Sequence, residues 1–142
     1  MQRLERRAGT ISRSRIHFPG KLSGSEVRDA WCDFDCVVHV PTSENCGGVI
    51  EPLLARRLVV ASRVGGLPEV IKHGETGFLL PELSSQALSE TVLAALEDPR
   101  RAAMGVAGEA LVREMFDVGR TAPTVLGAYR QVLGPSSSGS SR

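Results

Sequence analysis

"CVVHVPTSENCGGVIEPLLARRLVVAS", residues 36–62, is the stretch that decides the fold. It opens and closes with short apolar runs rich in valine, Cys36–Pro41 and Leu58–Ser62, and their length and β-branched content predict two buried strands. The segment between the runs has the apolar spacing of a helix. Two buried strands joined through a helix predict a parallel sheet in an α/β layer fold.

The proline at position 52 limits where that helix can begin. Pro52 lacks a backbone N–H and fits only in the first turn of a helix, so the predicted start is near Gly48 or Val49. The preceding loop, "TSENCGG", therefore runs directly into a helix N-terminus.

The residues around this stretch add further elements. Arg15–Gly20 is predicted to be a short strand, Ser23 and Glu26 have the spacing of a capping box that starts a short helix, and Phe78–Pro81 is predicted to be a last strand. About four strands are thus expected, in a half-Rossmann arrangement. Three helices follow, and Pro123 is expected to interrupt the third.

Composition limits the classes of function. Hydrophobic residues make up 42% and charged residues 23% of the 142 residues, and the net charge is +1. This balance gives no electrostatic argument for a nucleic acid or an anionic membrane as partner. The sequence shows neither an apolar run long enough to span a membrane nor a signal peptide, so a cytoplasmic protein is expected. Residues 1–14 are expected to be poorly ordered or peripheral and residues 135–142 a flexible tail.

The cysteines and histidines do not form a recognisable metal or nucleophile motif. Cys32 and Cys36 are interpreted as small buried hydrophobic residues, and Cys46 as an accessible thiol without a neighbouring histidine in sequence to activate it. His17 and His39 lie on predicted strands and are interpreted as buried and hydrogen-bonded. Trp31 and Phe34 are assigned to the core, and no metal site is predicted.

The glycine loop suggests a ligand. In a parallel sheet, ligands bind beyond the carboxyl ends of the strands, where this loop falls. Gly47 and Gly48 let the backbone approach a phosphate, and the helix N-terminus offers free N–H groups. Glu44 and Glu51 would repel a phosphate, but as acceptors they suit hydroxyl groups of a sugar or ribose. The alternative interpretations are that Glu44 is a solvated loop residue and that Glu51 is a charge favoured by the start of the helix.

The ordered set of motifs resembles the donor-binding segment of retaining GT-B glycosyltransferases. The resemblance rests on Pro41, Glu44, the glycine pair, Glu51, "LVVAS", "GGLPE" and the "GETGFLLP" turn and strand, and it extends from about Arg15 to Leu133. It implies an α/β Rossmann-like parallel sheet with C-terminal helices, as the incomplete C-terminal lobe of a GT-B fold, over residues 15–134. It also implies a nucleotide-diphosphate sugar as donor, an unknown acceptor, and no metal or further cofactor.

The resemblance also implies roles for individual residues. Glu44 matches the catalytic glutamate that contacts donor-sugar hydroxyls, and Glu51 matches the glutamate that binds ribose hydroxyls. Lys21 and Leu22 match the segment that lines the nucleobase. The full donor-binding set implied is Lys21, Leu22, Asn45, Cys46, Gly47, Gly48, Val49 and Glu51.

Three departures from the family pattern leave alternatives open. The two glutamates are one residue closer than in the usual pattern. At the helix end, Arg56 and Arg57 replace the usual small residue and glycine. Either Arg57 bears the energetic cost of a left-handed conformation, or the helix ends in a different way. The acceptor lobe and a basic pair for the diphosphate are not found, and the nearest basic candidates are Lys21 and Arg63. The chain alone is therefore expected to be inactive. The alternatives are a non-catalytic interaction module, a remnant that needs a separate acceptor-lobe chain, and an epimerase of the same two-lobed fold.

Overall fold

A computed structural model describes residues 15–134, and they form an α/β unit around a three-stranded parallel sheet. The strands are β1 (Cys36–His39), β2 (Leu58–Ala61) and β3 (Phe78–Leu79), in the spatial order β1-β2-β3. Cys36 pairs with Leu58, and Val60 pairs with Phe78. The predicted parallel α/β architecture is confirmed.

Six helices accompany the sheet within residues 15–134. They are α1 (Gly24–Ala30), α2 (Gly47–Leu54), α3 (Leu67–Val70), α4 (Ser85–Glu97), α5 (Arg101–Met115) and α6 (Val118–Leu133), and a 3₁₀ turn, Trp31–Asp33, follows α1. The predicted capping box is present, because Ser23 and Glu26 each hydrogen-bond the backbone N–H of the other. No helix within residues 15–134 has the length and apolarity needed to cross a membrane.

The central strand β2 supplies side chains to both halves of the core. Val59 and Ala61 face a cluster with α2, α3 and Val112 of α5, whereas Leu58 and Val60 face a cluster with Ala95 of α4 and the start of α5. All four β2 residues are buried, which fits the continuous apolar run in the sequence.

Several predicted boundaries need correction. Arg15–Gly20 is not a strand; every residue in it is exposed, and within the described part of the chain no strand pairs with it. The described sheet thus has three strands rather than about four. The helix α2 begins at Gly47, so Pro52 lies in its second turn and not in its first. Pro52 is tolerated there because the bond that it cannot donate would have gone to Gly48, close to the helix start.

Pro123 does not interrupt α6. The helix is continuous from Val118 to Leu133. Pro123 has no N–H to donate to the carbonyl of Gly119, four residues earlier. Both residues are exposed, so water can donate a hydrogen bond to that oxygen instead.

Four residues assigned to the interior are less buried than predicted. Cys32 and Phe34 are exposed, and Cys36 and Trp31 are half-buried. Trp31 and Phe34 pack edge to face, with ring centroids 5.8 Å apart, at the surface next to β1. His17 also differs from its prediction, because its segment is exposed and is not a strand. The expectations for residues 1–14 and 135–142 lie outside the described residues.

The end of α2 places an arginine in the left-handed region. Arg56 has a φ of 58°, and its N–H donates to the Leu53 carbonyl. The left-handed residue is therefore Arg56 and not Arg57, because the helix ends one residue earlier than the sequence pattern suggested. Arg56 Nε also bonds Glu109 of α5, which joins the two helices.

Candidate functional site

Two loops meet at the carboxyl end of the sheet. The loop after β1 carries Glu44, and the loop after β2 carries Gly65 and Gly66. The Gly66 N–H donates to the Glu44 carbonyl over 3.2 Å. A Cβ on Gly65, which has a φ of 52°, would lie 1.7 Å from the same carbonyl oxygen. Only glycine permits this approach, so the second loop fixes the backbone of the first.

Two groups hold the Glu44 carboxylate. Its Oε1 accepts a hydrogen bond from the Asn45 N–H over 2.8 Å, and its Oε2 lies 3.3 Å from Nε2 of His39. The Asn45 N–H, followed by the His39 ring, lowers the pKa of the Glu44 carboxyl, although partial burial opposes them. The group is therefore an ionised hydrogen-bond acceptor at neutral pH.

His39 connects Glu44 to the start of α2. A Cβ on Gly48 would lie 2.4 Å from Cε1 of the imidazole, so the ring lies directly against the glycine backbone. His39 is the last residue of β1 and is half-buried. Its hydrogen bond to Glu44 holds that carboxylate in position. From the sequence, His39 is predicted only to be a buried, hydrogen-bonded residue. The usable signal would have been a histidine ending a strand a few residues before the glutamate.

The start of α2 has an unusual backbone. Cys46 is the N-cap residue with a φ of 86°, and the Asn45 side-chain oxygen accepts from the Gly47 N–H over 3.2 Å. A left-handed non-glycine residue costs about 1–3 kcal/mol and is found where the surrounding structure fixes it. Partial burial raises the pKa of the Cys46 thiol, and Glu69 and Glu44 raise it further. The thiol is thus protonated at neutral pH, which disfavours a nucleophilic role.

The structure brings part of the predicted set together. Glu44, Asn45, Cys46, Gly47 and Gly48 form one continuous surface from the β1 loop into α2. Glu51 follows one turn later as an exposed residue of α2.

Three members of the set stand apart from this surface. The side chain of Val49 is fully buried in the core, so it does not face a ligand, and its N–H donates to the Cys46 carbonyl. Lys21 and Leu22 precede α1, and within residues 15–134 no hydrogen bond or ion pair joins them to the Glu44 loop. The described residues contain no cluster of three or more histidine, cysteine, aspartate or glutamate side chains arranged to hold a metal ion.

Comparison with known proteins identifies the family. The family model described as "Glycosyl transferases group 1" matches residues 1–98. Alpha-maltose-1-phosphate synthase of Mycolicibacterium smegmatis is 38% identical over 90 residues, which cover 58% of this chain and 23% of that protein. Phosphatidyl-myo-inositol mannosyltransferase of Mycobacterium tuberculosis is 30% identical over 126 residues, which cover 81% of this chain and 30% of that protein.

The fold agrees with the same family. The crystal structure of Anabaena Alr3699/HepE in complex with UDP aligns with a TM-score of 0.81 at 25% identity and covers 92% of this chain and 36% of that one. The chain therefore spans about a quarter to a third of the proteins that it matches. It belongs to the glycosyl transferases group 1 family, and its sheet and helices form part of a GT-B glycosyltransferase fold.

Proposed function

We propose that this chain supplies the donor half of a glycosyltransferase site that takes a sugar from a nucleotide-diphosphate sugar and transfers it, with retention, to an acceptor. The observation that carries the proposal is the Glu44 carboxylate, held by the Asn45 N–H and His39 beside the glycine start of α2. A fixed acceptor of hydrogen bonds next to a helix N-terminus suits a ligand with both hydroxyl groups and phosphates.

The sugar hydroxyls are assigned to Glu44. An ionised carboxylate accepts charge-assisted hydrogen bonds from hydroxyl donors, and its two existing contacts leave lone pairs on both oxygens. Since these contacts fix its direction before a ligand arrives, Glu44 would orient the sugar at little entropic cost.

The diphosphate is assigned to the backbone at the start of α2. The positive end of the helix dipole lies at Gly47 and Gly48; Gly47 presents no Cβ to a ligand, whereas the space beside Gly48 holds the His39 ring. The Gly48 N–H, together with the Gly47 N–H once it leaves the Asn45 side-chain oxygen, would stabilise the charge on the leaving diphosphate without a metal ion. Glu51, one turn along α2, is assigned to the ribose hydroxyls, and Lys21 and Leu22 to the nucleobase.

Relatives support the choice of donor class. Alr3699/HepE has been crystallised with UDP, with UDP and glucose, and with UDP-glucose. Since the chain spans only part of its relatives, we infer that other parts of the protein, or a separate chain, supply the acceptor site, and that this chain alone is inactive.

The test is calorimetric titration of the 142-residue chain with UDP, GDP and ADP. We expect one nucleotide to bind and Glu51→Ala to weaken its binding about tenfold, because an ionic hydrogen bond to ribose contributes roughly 1.5 kcal/mol. The matched control is Glu97→Ala, which removes another exposed glutamate, at the end of α4.

The control separates a local effect from a general loss of charge. Unchanged affinity in Glu51→Ala, or an equal loss in Glu97→Ala, would remove Glu51 from the site. A folded chain that binds none of the three nucleotides would contradict the proposal that it holds a working donor site.

A further inference from the structure

A cleft lies at the opposite end of the sheet from the Glu44 loop. It has a volume of about 320 Å³ and is lined by three arginines, Arg56, Arg57 and Arg101, and by one carboxylate, Asp35. The remaining lining residues are apolar: Phe34, Leu58, Ala102 and Val106. Arg56 and Arg57 are consecutive residues of the connection between α2 and β2, and Arg101 is the first residue of α5, so the fold brings two separate segments together.

Each guanidinium is held in place by a protein acceptor. Arg57 Nε donates to the Ala55 carbonyl over 2.8 Å, and its Nη1 donates to the Phe34 carbonyl over 3.3 Å. Arg101 Nη1 donates to the Leu96 carbonyl over 2.9 Å. Arg56 Nε bonds Glu109. A guanidinium has five N–H donors, so each arginine keeps donors that these contacts do not use.

The charge in the cleft is not balanced by its own carboxylate. Among the described residues, Asp35 forms no ion pair with any of the three arginines, and Glu109 pairs only with Arg56 of the three. Anchored guanidiniums of this kind match the oxygens of a phosphate, since the planar donor fork can bind two oxygens at once. The exposed rings and methyl groups of Phe34 and Val106 lie beside the charged groups and offer apolar contact to the organic part of an ester.

We propose that this arginine cleft is an anion site for a phosphate monoester. It is separate from the donor site in place and in chemistry: the donor site presents carboxylates and helix N–H groups at the carboxyl ends of the strands, and the cleft presents guanidiniums at their amino ends. The phosphate could belong to a free small molecule or to the headgroup of a lipid. The proposal does not depend on the sugar-transfer function.

The first arm of the test is a titration of the ¹⁵N-labelled chain with inorganic phosphate, followed residue by residue in the NMR spectrum. We expect saturable shifts at Arg57, Leu58, Arg101 and Ala102. Arg101→Gln and Arg57→Gln should each weaken the affinity about tenfold, the loss expected for one charge-assisted contact. Arg130→Gln, an exposed arginine of α6, is the matched control and should leave the affinity unchanged.

A structural role alone would give a different result. The bonds of Arg57 and Arg101 to carbonyls would make their glutamine variants less stable without any phosphate-dependent shift at the cleft. Arg57→Lys, which keeps the charge but not the planar donor fork, replaces Arg57→Gln in the titration if that variant does not fold. Shifts confined to Gly47 and Gly48 would place phosphate at the donor site only, and would overturn the proposal.

The second arm identifies the source of the phosphate. Sedimentation with phosphatidylcholine vesicles that contain phosphatidic acid, against vesicles of phosphatidylcholine alone, tests a lipid headgroup. Binding to the phosphatidic acid vesicles that Arg101→Gln abolishes would assign the cleft to a membrane phosphate. Binding of free phosphate without vesicle binding would assign it to a soluble ester. No arginine-dependent binding in either arm would overturn the proposal.

Discussion

The two ends of the sheet are built by different means. At the carboxyl end, the loops after β1 and β2 touch through their backbones, and glycines make the contact possible. At the amino end, long arginine side chains bridge the elements by bonding carbonyl oxygens and Glu109. Backbone contacts fix atoms more closely than exposed side chains, whose rotamers must be ordered. The comparison indicates a carboxyl end that is rigid before a ligand binds and an amino end whose stability is easily changed.

The largest expected effect follows from the glycine contact at the carboxyl end. Gly65→Ala would place a Cβ 1.7 Å from the Glu44 carbonyl, in addition to the cost of a positive φ. We expect a loss of about 3 kcal/mol in the free energy of unfolding, measured with urea, because backbone must move. Gly74→Ala is the matched control: its φ is 78°, but no atom lies within 4 Å of the added Cβ. It should cost only about 1 kcal/mol. Equal losses in the two variants would show that the loops are not in close contact.

Two carboxyl groups, Glu44 near the carboxyl end of the sheet and Glu109 bonded to Arg56, are held by different kinds of partner. The pKa of Glu44 is lowered first by a neutral backbone N–H, whereas the pKa of Glu109 is lowered first by Arg56 and then by Arg113. The pKa of each carboxyl group is therefore lower in the folded than in the unfolded chain. Each ionised group stabilises the fold at a pH above its unfolded pKa, and that contribution is lost as the pH falls through its folded pKa.

Salt should separate the two groups. At about 1 M salt the screening length falls to about 3 Å, so the pairs between the exposed guanidiniums of Arg56 and Arg113 and the half-buried Glu109 weaken. We expect the pKa of Glu109, followed by NMR of its carboxyl carbon, to rise with salt more than that of Glu44. Arg113→Gln should raise the pKa of Glu109 and leave the pKa of Glu44 unchanged. A larger salt response at Glu44 would show that the charge of His39, rather than the Asn45 N–H, holds its carboxylate.

The sequence predicts the framework better than the contacts. The valine-rich runs, the helix between them and the Ser23 capping box are local signals, and the structure contains all three. The Glu44–His39 bond depends on how closely β1 approaches Gly48, and the arginine cleft depends on two separate segments meeting. The cleft has no local signal, and a histidine at the end of a strand does not by itself identify the carboxylate that it bonds. The misassigned strand at Arg15–Gly20 shows the same limit, because strand formation needs a partner that local propensity does not specify.

The smallest expected effect concerns Arg56 at the amino end. Arg56→Gly removes a left-handed arginine, a backbone cost of about 1 kcal/mol. It also loses the ion pair between the exposed Arg56 guanidinium and the half-buried Glu109, which contributes about 1 kcal/mol. We expect the free energy of unfolding to rise by less than about 1 kcal/mol. Arg57→Gly, which loses two bonds to carbonyls and gains nothing at its own backbone, should lower it by about 1 kcal/mol. If Arg57→Gly were the more stable of the two variants, the left-handed residue would be Arg57 and not Arg56.

The same variant connects stability with the cleft. Glycine would suit the φ of 58° at position 56, so stability alone does not explain an arginine there. If Arg56→Gly is at least as stable as the parent chain but binds inorganic phosphate more weakly, the guanidinium serves the cleft at the expense of the backbone. If it is less stable and binds phosphate equally well, the bond to Glu109 of α5 is sufficient reason for the arginine, and the anion site would rest on Arg57 and Arg101 alone.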